Sequence, residues 1–162
     1  QFSHSLAEEQ HHYGAFNLLV GTVSADTSHD SLWYLGNRGA APQAVQPGIH
    51  GLSNGLLDDP WPKVERAKQN LADATAAGGS LEQLLQVVND HYQPSDNELP
   101  DTGVGVELER LVAPVFIQSE TYGTRASSAV ILDREQGPQM LEQVWQPDGH
   151  AAGNPNRSFS NA

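Results

Sequence analysis

Between Pro47 and Lys68 the sequence runs PGIHGLSNGLLDDPWPKVERAK, and no regular element can pass through its first half. Gly48, Gly51 and Gly55 are free to take positive φ or to let another segment approach closely, so His50, Ser53 and Asn54 sit on a bend set by the backbone. The second half points the other way. Asp58 and Asp59 offer N-caps, while Pro60 and Pro62 suit a first helical turn, which they enter without a backbone donor. A helix is expected to begin there. Three of the chain's eight Lys and Arg residues are Lys63, Arg66 and Lys68, which puts a cationic spot beside the His-Ser-Asn loop.

That spot matters because the chain as a whole is acidic, with 20 Asp and Glu and a formal charge of −12. Such a balance argues against general affinity for nucleic-acid backbones or anionic membranes. At 162 residues one domain can bury a proper core. There is no cysteine, so these residues supply no disulfide, thiolate metal site or cysteine nucleophile, and a reducing, cytoplasmic setting is expected. No apolar run approaches the ~20 residues of a membrane span. The first residue is Gln1, so a processed or trimmed piece of a longer chain is expected.

Taken in order, Ser3 to Tyr13 reads as a short helix with a Ser cap and early acids. FNLLVGTV (16–23) and SLWYLG (31–36) read as paired strands, SADTSHD supplies the turn, and NRGAAPQ ends the second run. Ala44 to Ser53 is a third strand candidate leading into the bend. Trp61, Val64, Leu71 and Ala74 recur at helical spacing up to about Ala76. Ser80 with Gln83 forms a capping-box pattern, and Leu81, Leu84, Leu85 and Val88 line a second helix expected to end near Tyr92. Gln93 to Gly105 reads as an ordered loop able to act as a lid, and Val106 to Val112 as a brief helix. Ala126 to Arg134 and Gln139 to Trp145 form a hairpin about Gln136-Gly137. Residues 148–162 are Gly, Asn and Ser rich and are expected to be a disordered tail, behind one α+β domain over 1–147.

Of the seven histidines, none falls in a recognised metal spacing. His50 stands out for its glycine-flanked setting. Its two readings are a ligand contact and an imidazole that merely ties the loop together. Ser53 and Asn54 can orient a carbonyl or carboxylate, or simply make a turn. Lys63 and Arg66 either form a solvated helix face or hold an anionic ligand near the helix start. In YGTRASS (122–128), Tyr122 and Arg125 enter a strand among small polar residues, where a guanidinium meets either a carboxylate guest or a structural ion-pair partner.

Three segments, GIHGLSNGLLDDPWPKVERAK, ELPDTGVGVELERLVAPVFI and YGTRASSAVILDR, together with FNLLVG and LWYLGNR ahead of them, closely resemble the NRDE family, also called the transport and Golgi organisation protein 2 family. The resemblance implies an αββα layered sandwich like that of N-terminal nucleophile hydrolases. Family members carry a Cys near their start and an Asn-Arg-Asp-Glu signature, neither of which is in this sequence, so the chain is expected to match the later part of that domain. The function implied is intracellular haem trafficking or haem binding without catalysis. In that reading haem is cargo, His50 is an iron contact, and Lys63 or Arg125 pairs with propionates. The alternative implied is an amide hydrolase in which Asn54 and Arg125 support a cysteine nucleophile supplied from elsewhere. A scaffold or interaction domain is the third reading. Loss of leading strands from such a sandwich would favour self-association.

Overall fold

A computed structural model describes residues 9–24 and 30–159. They divide into two compact units, one before and one after the Asp59–Pro60 junction, the first built on a sheet and the second on helices and a sheet. The described residues mix two three-stranded antiparallel sheets with three α-helices.

In the first unit β1 (Asn17–Thr22), β2 (Ser31–Gly36) and β3 (Ala40–Ala44) follow one another as a meander. The expected pairing of the first two runs is found, with Leu19 opposite Tyr34 and Val20 opposite Trp33. Gly21 is required where the two strands approach, because a Cβ there would lie 2.2 Å from the Ser31 carbonyl oxygen. Tyr34 and Leu35 are the buried centre. The helix expected over Ser3 to Tyr13 lies largely outside the described residues; within them Gln10–His12 is a single 3-10 turn.

The third strand is not at Ala44 to Ser53. It is formed by AAPQA, the residues expected to end the second run, and it stops where Val45 donates back to the Leu32 carbonyl at 2.8 Å. Pro42 is tolerated because β3 is an edge strand and one of its two rows of amides needs no partner. Beyond it, the chain from Gln46 to Asp58 forms an irregular loop, as its glycines and Pro47 require.

The second unit holds α1 (Pro62–Ala76), α2 (Leu81–Val87), α3 (Val106–Val112), β4 (Ala126–Asp133), β5 (Gly137–Val144) and β6 (Asn156–Phe159). Pro62 occupies the first turn of α1 as expected, but the cap residue is Trp61, with no side-chain cap bond. Asp58 and Asp59 are used in the loop before it. The Ser80–Gln83 capping box is formed in both directions. The helix it starts ends at Val87, short of Tyr92, because Asp90 turns its carboxylate back onto the Tyr92 N–H at 3.0 Å. Leu81 and Leu85 of α2 pack on Ala129 and Leu141 of the sheet, with Leu84 and Ile131 alongside. The hairpin is where the sequence puts it, its turn held by the Asp133 carboxylate accepting from the Glu135 and Gln136 N–H groups.

In the tail, where composition suggests disorder, Asn156–Phe159 instead pairs antiparallel with β5. Backbone pairing needs no apolar side chain, and Arg157 adds an ion pair with Glu82 of α2. Between α2 and α3 in the chain, the loop expected over Gln93 to Gly105 is ordered by a 3-10 turn at Asp96–Glu98 with its own Ser95–Glu98 capping box.

Candidate functional site

The loop after β3 is closed by one residue. Asp58 has a left-handed backbone, φ 62°, a conformation that Asp tolerates better than most residues. Its Oδ2 lies 2.6 Å from His50 Nδ1, its Oδ1 accepts from the Gly51 N–H at 2.9 Å, and its own N–H donates to the Gly51 carbonyl at 2.8 Å. The other ring nitrogen of His50 lies 2.8 Å from the Gln46 carbonyl. Both nitrogens of His50 are therefore engaged within the loop. Sequence reasoning gave Asp58 to the helix and missed it as the partner of His50.

The same loop is tied to the sheet through Asn17, which donates to the Ser53 and Gly55 carbonyls at 3.2 and 2.9 Å and accepts from the Tyr34 hydroxyl at 2.8 Å. These bonds use the backbone of Ser53, which is half-buried, and Asn54 is exposed.

In the second unit, Lys63 and Arg66 are both committed. Lys63 donates to the Val112 carbonyl at 2.7 Å and lies over the Trp61 ring. Burial lowers its pKa, offset in part by the Glu109 charge. A pocket of about 20 Å³ beside it has room for little more than a water. Glu109, itself buried, accepts from the Thr102 N–H at 2.8 Å and from its hydroxyl at 2.5 Å. Arg66 donates to Asp90 and stacks over Tyr92. Burial alone would raise the Asp90 pKa, but hydrogen bonds from Arg66, the Tyr92 N–H and Asn70, with the Arg66 charge, hold it below the ordinary carboxylate value.

Tyr122 and Arg125 are differently placed. Together they line an open pocket of about 430 Å³, with Thr124, Trp145, Gln146 and Gly149, within the size range usual for small-molecule sites. The loop carrying Tyr122 is pinned by Ser119, whose Oγ donates to the Tyr122 carbonyl at 2.6 Å and accepts from its N–H at 3.0 Å. Across the pocket the turn at Gln146 to Gly149 is held by Gln118, which donates to the Asp148 carbonyl. Trp145 is fixed by its indole N–H donating to Ser127 Oγ at 3.0 Å and by an edge-to-face contact with Phe116. The Arg125 guanidinium is exposed and has no partner among the described residues. Glu120 also lines the pocket and keeps it from being purely cationic.

Trp145 and the Gln118–Asp148 closure were not singled out from the sequence. Their roles come from the crossing of two distant segments, which spacing does not encode. Among the described residues, no three His, Asp or Glu side chains gather as a metal cage, and no helix is long and apolar enough to cross a membrane.

A family model described as Transport and Golgi organisation 2 matches residues 1–147. The chain is 32% identical to a Bos taurus Transport and Golgi organization protein 2 homolog over an alignment of 144 residues that covers 80% of this chain and 50% of that one. A Mus musculus homolog is 31% identical over 142 residues, 79% of this chain and 50% of the relative. A Drosophila melanogaster relative, Transport and Golgi organization protein 2, is 28% identical over 144 residues, 82% of this chain and 50% of its own. The chain spans about half the length of the curated relatives it matches.

Proposed function

The chain belongs to the Transport and Golgi organisation 2 family, and from that premise we propose that it is a small-molecule handling protein whose pocket at Tyr122 and Arg125 receives a ring-bearing carboxylate, with haem as the first candidate cargo. One observation carries this reading. A guanidinium without a partner among the described residues lines a pocket of about 430 Å³ beside the aromatic rings of Tyr122 and Trp145. Arg is the residue best matched to a carboxylate, through two parallel N–H donors. Aromatic walls accept a planar guest by stacking.

In this proposal Arg125 pairs with a propionate and Tyr122 and Trp145 bracket the ring. Lys63 and Arg66 hold the fold through Val112 and Asp90. Ser53 and Asn54 remain with the loop. His50 reaches an iron only if it leaves Gln46 or Asp58, so its assigned role is to tie the loop. The amide-hydrolase alternative, with Asn54 and Arg125 supporting a nucleophile, needs a cysteine that these residues do not contain. The proposal extends to αββα layering over one domain at 1–147 and to a cytoplasmic setting, which the absence of cysteine favours.

Haem titration followed by its absorption band tests the reading. Arg125→Ala is expected to weaken binding about 10- to 100-fold, the worth of a hydrogen bond to a charged group, while His50→Ala leaves the spectrum unchanged. Equal affinity of wild type and Arg125→Ala would remove the proposed contact.

A further inference from the structure

β4 is the outer strand of its sheet, and among the described residues no strand pairs with its free side. The run from Ala126 to Leu132 contains no Pro and no Lys, the residues with which exposed edges are usually blunted. Val130 and Leu132 are 54% and 57% exposed. The edge strand β3, by contrast, carries Pro42.

The ladder decides which groups this edge offers. Trp145 N–H donates to the Arg125 carbonyl at 2.9 Å, and Ala126 stands opposite Val144. Arg125, Ser127, Ala129, Ile131 and Asp133 therefore turn their backbone groups toward β5. Ala126, Ser128, Val130 and Leu132 turn theirs outward. A second β4 laid antiparallel on this edge must match outward residue with outward residue, so a two-fold axis has to pass through a residue and not between two.

Charge selects which one. With the axis at Ala129, Ser128 faces Val130 and Ala126 faces Leu132 of the other copy, each pair exchanging both backbone hydrogen bonds. Arg125 of each copy then stands opposite Asp133 of the other. Moving the axis to Ser128 sets Arg125 against Ile131, and moving it to Val130 sets Asp133 against Ser127. Among the described residues the Arg125 guanidinium has no partner, and the Asp133 carboxylate is engaged only by backbone N–H groups through Oδ1.

We propose that β4 is a homodimerisation edge, joining two copies of this chain into one continuous six-stranded antiparallel sheet, with the register fixed by reciprocal Arg125–Asp133 pairs. The inference does not rest on the ligand reading. Because Arg125 is common to both, the tests are placed on Val130 and Asp133, neither of which lines the pocket.

Sedimentation equilibrium of the full chain at tens of micromolar is expected to give a dimer. Val130→Pro is expected to give a folded monomer, since the N–H it removes points to the free edge and serves no bond among the described residues. Asp133→Asn keeps an oxygen for the hairpin turn and is expected to weaken dimerisation roughly 3- to 30-fold. Asp133→Arg is expected to abolish it. A monomeric wild type, or a dimer indifferent to Val130→Pro, overturns the proposal. So does a dimer unchanged in Asp133→Asn, which folds even if the charge reversal does not.

Discussion

The carboxylate of Asp58 lies 2.6 Å from Nδ1 of His50, eight residues earlier, while Nε2 of the same ring faces the Gln46 carbonyl. A carboxylate and a carbonyl both only accept, so each of these contacts is a hydrogen bond when the ring nitrogen facing it carries the proton, and both are made at once by the imidazolium. The pair locks the loop from Gln46 to Asp58 by its own side chains.

Asp58→Ala is expected to loosen that loop, costing about 1–3 kcal/mol because the Gly51 N–H and the imidazole both lose their acceptor. Hydrogen exchange at Gly51 measures it directly. Unchanged protection there would show that the backbone alone holds the bend.

Asp90 gives a stability that depends on acid. Its pKa is lowered in the folded state, so its contribution is complete above the ordinary value of 3.8 and is lost as the pH falls through the lowered one. Asp90→Asn is expected to flatten the acid limb of a stability–pH curve and to cost about 1–3 kcal/mol near neutrality. Denaturant melts of the two proteins between pH 2 and 7 compare the limbs, and parallel curves would contradict the assignment.

At Glu109 the sign is carried by Lys63. Removing the buried carboxylate orphans the Thr102 donors and withdraws the charge that raises the Lys63 pKa against its burial. Glu109→Leu is expected to destabilise by about 1.5–3 kcal/mol at neutral pH, with the Lys63 amine titrating lower than in the wild type. An amine unmoved by the substitution in an NMR titration would break the link.

Gly149 sits at φ +82°, and a Cβ there would meet the Gln118 side chain at 2.6 Å. Gly149→Ala is therefore expected to cost about 1–3 kcal/mol through strain and to push Gln118 off the Asp148 carbonyl, opening the wall of the Arg125 pocket. Thermal melts together with ligand affinity read both effects, and an unaltered pair would show that the turn is soft.

Much of this was legible in the sequence, and the exceptions share a cause. The β1–β2 pairing, the Ser80 capping box and the hairpin about Gln136-Gly137 are local patterns, so spacing alone located them. β3 was placed too late because Pro42 argues against a strand until the edge position is known. Asp58 looked like a helix cap because its true partner, the His50 ring, is brought to it only by a left-handed turn. In the tail, composition predicted disorder, yet β6 is held by the backbone of β5. At the site, Tyr122 and Arg125 stood out by residue type, whereas Trp145 and Gly149 enter only because the chain returns to them.

The central claim is that Arg125 grips a carboxylate, and a crystal structure with haem or a simpler aromatic carboxylate tests it most directly. The account predicts carboxylate oxygens within hydrogen-bond distance of the Arg125 guanidinium and the guest's ring against Tyr122 or Trp145. A guest bound elsewhere, with Arg125 still facing solvent, would contradict it.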